Sequence, residues 1–334
     1  MKNNLLFSLL ISLMFWSACS NDFEVVAPWK DIPIVYGLLN IADDQHYIRV
    51  EKAFIDPDIS ALVIAKEPDS LYYDNVIVQL EKVSTGQIFT LTRVDGNDPG
   101  IALPRDPGIF ATVPNYLYRI EGSAIDLQKG EIIRLIVDRG NGLPLVTAET
   151  AIQGPMQKRT PGGNNFDFVP NLPTKLGWSA STESKIFDVK LIIHYGEFPK
   201  DDPSAFEQKT IEWVWANGVT FSVPANEYRL EKDGKEFYAV MASNIPNDPN
   251  FERIFIDMDL EIISGGEALQ KYINVALANS GITGSQELPS FTNLSEGMGI
   301  FSTQGVLKVP GLLLAPKTRD SLANGSITKH LNFQ

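Results

Sequence analysis

The chain has 334 residues, and 41 acidic against 28 basic side chains give it a formal net charge of −13. An acidic body repels phosphate backbones, so nucleic acid is not an expected partner. Cys19 is the one cysteine, which excludes an intrachain disulfide, and the 44% hydrophobic content is that of a globular chain.

Lys2 opens the chain, an apolar run from Leu5 to Trp16 follows, and the small residues Ser17 and Ala18 precede Cys19. A basic start, an apolar centre and a small-residue exit form a secretory signal. A cysteine at the exit makes that signal a lipoprotein cleavage site. The run is shorter than the ~20 residues of a membrane-spanning helix. Residues 1–18 are therefore expected to be removed and Cys19 to be acylated, anchoring the protein to a membrane. Several acyl chains hold firmly where one would not, because each buried CH₂ adds about 0.8 kcal/mol. Residues 19–31 then read as a tether.

Strand signals follow. Residues 32–39 form an apolar run, 46–54 place Ile48, Val50 and Phe54 on one parity, and 75–83 place Val76, Val78 and Leu80 on one face. Ser84-Thr85-Gly86 turns the chain into 87–93 as a hairpin. Further β runs are 108–113, 116–121, 131–138 and 145–152. This density of short strands predicts an immunoglobulin-like β-sandwich over residues 32–153, able to fold without the second half. Residues 154–173, with Pro155, Pro161, Gly162, Gly163, Pro170 and Pro173, read as a linker.

A β-rich α+β domain is expected over 174–316. Its strands are 186–198, 208–215, 252–263 and 298–309, and Asn217-Gly218 is expected to turn the chain into 219–223. In 252–263, Ile254, Ile256, Met258, Leu260 and Ile262 share one parity. A helix is expected within 226–245. A second, over 267–279, carries Leu269, Tyr272, Ile273, Ala276 and Leu277 at helical spacing. Residues 317–334 read as a loosely held tail.

The chemistry-bearing residues are sparse. His46, His194 and His330 are far apart in sequence, so their spacing offers no zinc site. His194, inside Leu191-Ile192-Ile193-His194-Tyr195, reads as a structural strand residue. Acidic clusters include Asp95 to Asp98, Asp201-Asp202 and Asp257-Met258-Asp259. Calcium favours oxygen-rich loops, with Asp95, Asn97 and Asp98 the candidate ligands, but Asx-Pro-Gly clusters are first of all turns. No metal or cofactor is expected. Trp213 and Trp215 are an i, i+2 pair on a strand and point to one face. That face is either a stacking surface for sugars or a partner, or core packing.

Thr292-Asn293-Leu294-Ser295-Glu296-Gly297-Met298-Gly299-Ile300-Phe301 resembles the late motif of a Bacteroidota lipoprotein family, domain of unknown function 4249, with Leu294 where that family has Ile. The segments Val35-Tyr36-Gly37-Leu38-Leu39, Tyr47-Ile48-Arg49-Val50, Ala148-Glu149-Thr150 and Phe187-Asp188-Val189-Lys190-Leu191 fit the same pattern. Asn293, Gly297, Gly299, Ile300 and Phe301 read as structural, a glycine-rich turn delivering an apolar strand. Ser20, Asn21 and Asp22 resemble, in part, an export signal of such lipoproteins, with a plain polar tether as the alternative. The resemblance implies an outer-membrane lipoprotein, in either leaflet, associated with TonB-dependent receptors. The expected role is a non-catalytic binding or assembly accessory whose partner is an envelope protein such as an outer-membrane barrel. The alternative is a surface lipoprotein that binds or hydrolyses glycans.

Overall fold

The computed structural model describes residues 31–54, 59–222, 227–279 and 290–334. Cys19, Ser20, Asn21 and Asp22 lie outside them. No helix among the described residues is long and apolar enough to cross a membrane.

The first half is a two-sheet sandwich. Its strands are β1 (Pro33–Leu39), β2 (Gln45–Lys52), β3 (Ile77–Lys82), β4 (Gln87–Thr90), β5 (Thr92–Asp95), β6 (Tyr116–Glu121), β7 (Ile132–Asp138) and β8 (Val146–Ala151). One sheet runs β4-β3-β7-β8 and the other contains β1-β2-β6-β5. Alternation sets the faces: Val78 and Leu80 of β3 and Leu135 and Val137 of β7 point inward, where they meet Val35, Ile48, Val50 and Ile120 of the facing sheet. On the outer face Glu81, Arg134 and Glu149 form a cross-strand ion-pair row.

The second half repeats the two-layer plan. It comprises β9 (Gln157–Thr160), β10 (Asn165–Phe166), β11 (Pro173–Ser179), β12 (Ile186–Pro199), β13 (Glu207–Thr220), β14 (Tyr228–Asp233), β15 (Phe251–Gly265) and β16 (Met298–Leu314). Its helices are α1 (Lys235–Asn244), α2 (Glu267–Asn279) and α3 (Pro316–Asn324). The sheet β13-β12-β15-β16 faces the small sheet β14-β11-β9. Between them lie Leu191, Ile193 and Leu260 on one side and Leu176, Trp178 and Tyr228 on the other, with Phe237 and Met241 of α1. The chain is thus mostly β, a sandwich followed by a β-rich α+β half.

β16 joins the halves. Met298 to Thr303 pair in parallel with β1, and Gln304 to Leu312 pair antiparallel with β15. One sheet therefore runs β13-β12-β15-β16-β1-β2-β6-β5 through both cores. Leu294 and Phe301 are buried in the first core, far in sequence from its other members.

Several sequence expectations are corrected. Residues 108–113 form no strand, because Pro107 and Pro114 bracket a stretch that cannot keep up a ladder. Asn217-Gly218 makes no hairpin turn: β13 runs through it, paired with β12 on both sides. Gly218 takes a left-handed φ of +65° there, and its N–H donates to Asp188 Oδ1 at 2.6 Å, which makes the pair a bulge. Ile256 is likewise an extra residue opposite His194/Tyr195, so Phe255, not Ile254 or Ile256, packs on the core. Residues 154–173, expected as a linker, carry β9 and β10 and bury Phe166 and Phe168 completely. The tail expectation for 317–334 also fails, because Leu322, Leu331 and Phe333 belong to the second core.

Candidate functional site

A cleft of about 790 Å³ opens at one end of the first sandwich. The end of β2 supplies Lys52 and Phe54, and the strand end after β7 supplies Arg139 and Asn141. One-turn helices at Ala61–Ile64 and Pro68–Leu71 supply Val63 and Asp69, and Glu67, which caps the second, stands between them. Asp31, where the described chain begins, lies at its base. Asp31 Oδ1 accepts a hydrogen bond from the Tyr73 hydroxyl at 2.7 Å and pairs with the buried Arg139 guanidinium. Arg139 also donates through Nη2 to the Pro144 carbonyl at 3.0 Å and lies 3.7 Å from Glu296. Burial, and then Asp31 as acceptor, push the Tyr73 phenol above its ordinary pKa. Through its two Nη atoms Arg139 thus ties Asp31, Pro144 and Glu296 together at the base. The rim differs: Glu67, Asp69 and Asp74 are exposed, and so is the apolar Val63. Such a rim can hold a ligand that is cationic and partly apolar.

Trp213 and Trp215 offer no stacking surface; of the two readings, core packing holds. They are 5% and 6% exposed, because β13 turns their face toward the small sheet and α1. Trp213 packs on Phe168, Phe237 and Trp215. The Asp95 loop is a self-bonded turn. Asp95 Oδ1 accepts from the Asn97 N–H and side-chain amide, both at 2.9 Å, and from the Asn115 N–H at 3.1 Å. One oxygen of Asp95, among the side chains offered as calcium ligands, is thus taken by the amides of its own turn and of Asn115.

The late motif forms a joint. Asn293 clasps the Phe301 backbone both ways: its Nδ2 donates to the Phe301 carbonyl at 2.7 Å, and its Oδ1 accepts the Phe301 N–H at 3.0 Å. Gly297 and Gly299 have φ of +89° and +110°, and a Cβ on either would overlap the carbonyl of Pro33 or Val35 in β1. Ile300 and Phe301 are buried.

The register also assembles a cluster that sequence reasoning missed. His194 of β12 stands opposite Asp257 of β15, with Asp259 on the same face. His194 Nε2 lies 3.2 Å from Asp259 Oδ2, and Asp259 Oδ1 accepts the Gly311 N–H at 3.1 Å. The strand around His194 and the i, i+2 spacing of the aspartates are legible in sequence. Their pairing is not, because it depends on which strands become neighbours.

Neither a protein-family model nor a curated protein matches this chain. Among solved structures it is similar to the C-terminal globular domain of an oligosaccharyltransferase from Pyrococcus abyssi, at 10% identity and a TM-score of 0.24. The match covers 70% of this chain and 47% of that one, so it spans about half of the latter's length. At that score the likeness decides nothing about fold or function.

Proposed function

We propose that this protein is a cell-envelope lipoprotein of the domain of unknown function 4249 family. In this reading Cys19 anchors it to the outer membrane, and it acts as a non-catalytic binding or assembly accessory for an envelope protein. The cleft beside Asp31 carries the reading. It combines the exposed apolar Val63 with the rim carboxylates Glu67, Asp69 and Asp74. This suits a basic, partly apolar segment of a protein partner, since complementary charge speeds encounter and sets specificity. A tether would confine both partners to one surface and raise their effective concentration, so even a modest interface would be occupied. Burial of Trp213 and Trp215 removes the feature that favoured a glycan surface.

A photo-crosslinking side chain placed at Val63 or Asp69 in intact cells tests the reading. It should capture an outer-membrane protein reproducibly, and Val63→Asp should abolish capture from Asp69. If both positions capture nothing while the protein is folded and membrane-bound, the cleft is not a docking site.

A further inference from the structure

We propose that His194, Asp257 and Asp259 bind a divalent transition-metal cation of the zinc class on the outer face of the long sheet. The three side chains supply one ring nitrogen and two carboxylate oxygens, all within 4.8 Å of one another. Zinc binds imidazole nitrogen and carboxylate oxygen at about 2.0–2.2 Å, which sets neighbouring tetrahedral ligands roughly 3.4 Å apart. The 3.2 Å between His194 Nε2 and Asp259 Oδ2 is already that edge.

The backbone holds the donors on rigid strands. His194 and Asp257 are direct cross-strand partners, next to the bulge at Ile256. A second irregularity, where β15 pairs with β16, brings the Gly311 N–H onto Asp259 Oδ1. Bulges re-aim side chains locally, and here one on each flank converges on the same three groups. Asp259 Oδ2 faces His194 while its other oxygen is fixed by backbone.

Charge supplies an independent argument. Farther along the same face the acids are neutralised by lysines: Lys190 pairs with Glu261 at 3.0 Å and Glu212 at 3.1 Å, and Lys308 with Glu261 at 3.2 Å. Among the described residues, Asp257 has no basic partner, and Asp259 has only His194. Two aspartates converge on an imidazole without a lysine or arginine, which leaves negative charge for a cation to neutralise. The other ring nitrogen, His194 Nδ1, is buried without a hydrogen-bond partner, so the ring's polar tie is on the cluster side.

The donor set selects the class of ion. Calcium takes six to eight oxygens, and magnesium is bound by carboxylates and retained waters. An imidazole with two carboxylates suits zinc, and three protein ligands leave a fourth position for water or a partner's side chain.

The full mature protein, stripped with chelator and titrated with Zn²⁺ in a calorimeter, tests the site. Saturable one-to-one binding is expected below about 1 mM. Asp257→Asn and His194→Gln should each weaken it by about tenfold or more. Zn²⁺ should raise the melting temperature of the native protein and leave that of Asp257→Asn unmoved. Asp257 is only half-buried, so its variant should retain strand-rich circular dichroism if His194→Gln fails to fold. Equal affinity in native protein and Asp257→Asn would overturn the proposal. So would the absence of saturable binding, or Mg²⁺ binding as tight as Zn²⁺.

Discussion

Gly299 sits where β16 lies against β1, and its backbone is held at a φ of +110° that L side chains rarely adopt. Two costs coincide there, conformational strain and overlap with the Val35 carbonyl. Gly311 separates them, because its φ is +71° but nothing lies within 4 Å of where a Cβ would stand. Gly311→Ala should therefore cost only the left-handed penalty, about 1–2 kcal/mol. Gly299→Ala should cost about 3 kcal/mol or more, because the β1–β16 pairing itself must shift. Chemical denaturation of the two variants checks this, and equal losses would mean the close approach is unimportant. The glycine-rich turn was legible in the sequence as structural. Its cause was not, because the obstructing carbonyl belongs to a strand more than 260 residues earlier. His194 lies in a strand as its sequence indicates, but neither aspartate is its neighbour until β12 and β15 pair.

At the scale of elements, alternation revealed most strands, and it failed where a partner changes parity. Ile254 and Ile256 look inward by sequence, yet the bulge turns Phe255 to the core instead. The C-terminal segment was misread because its anchor lies in another strand. Arg253 of β15 is buried, donates through Nε to Glu197 at 2.7 Å and through Nη1 to the Leu331 carbonyl at 2.7 Å. The segment replies through the Gln334 N–H, which donates to the Arg253 carbonyl at 2.9 Å. Burial alone would raise the Glu197 carboxyl, but hydrogen bonds from Lys209 and Arg253 outweigh it and hold the group below its ordinary 4.5. The unfolded chain then takes up the proton more readily than the folded one. The contribution is complete above pH 4.5 and is lost as pH falls through the lower, folded value. Melting should weaken on acidification below pH 4.5. Glu197→Gln should flatten the response there and cost about 3 kcal/mol at neutral pH, because Arg253 stays buried without its counter-ion. An unchanged acid profile in that variant would remove Glu197 as the cause.

Over the whole molecule, the two cores are tied by one sheet and by a polar hub at the crossing. Gln153, at the end of the first half, donates through Nε2 to the Thr303 carbonyl at 3.0 Å. Its Oε1 accepts from Ser184 Oγ at 2.6 Å and Ser264 Oγ at 2.5 Å, so this first-half residue is bonded into the second half. Thr303 Oγ1 in turn donates to the Leu39 carbonyl at 2.9 Å. These groups are buried, and a buried polar atom stripped of its partner costs about 1–3 kcal/mol. A fragment of residues 32–153 keeps the paired sheets but loses Met298 to Thr303 from the edge of β1, Leu294 and Phe301 from the core, and every partner of Gln153 in the second half. The exposed β1 edge would present unpaired N–H and C=O groups, a template for aggregation. The fragment alone should be molten or insoluble, and a separate peptide of residues 290–304 should restore a cooperative melt. If the fragment alone unfolds cooperatively, at the temperature of the intact protein's first half, then β16 is an accessory to a sandwich complete without it.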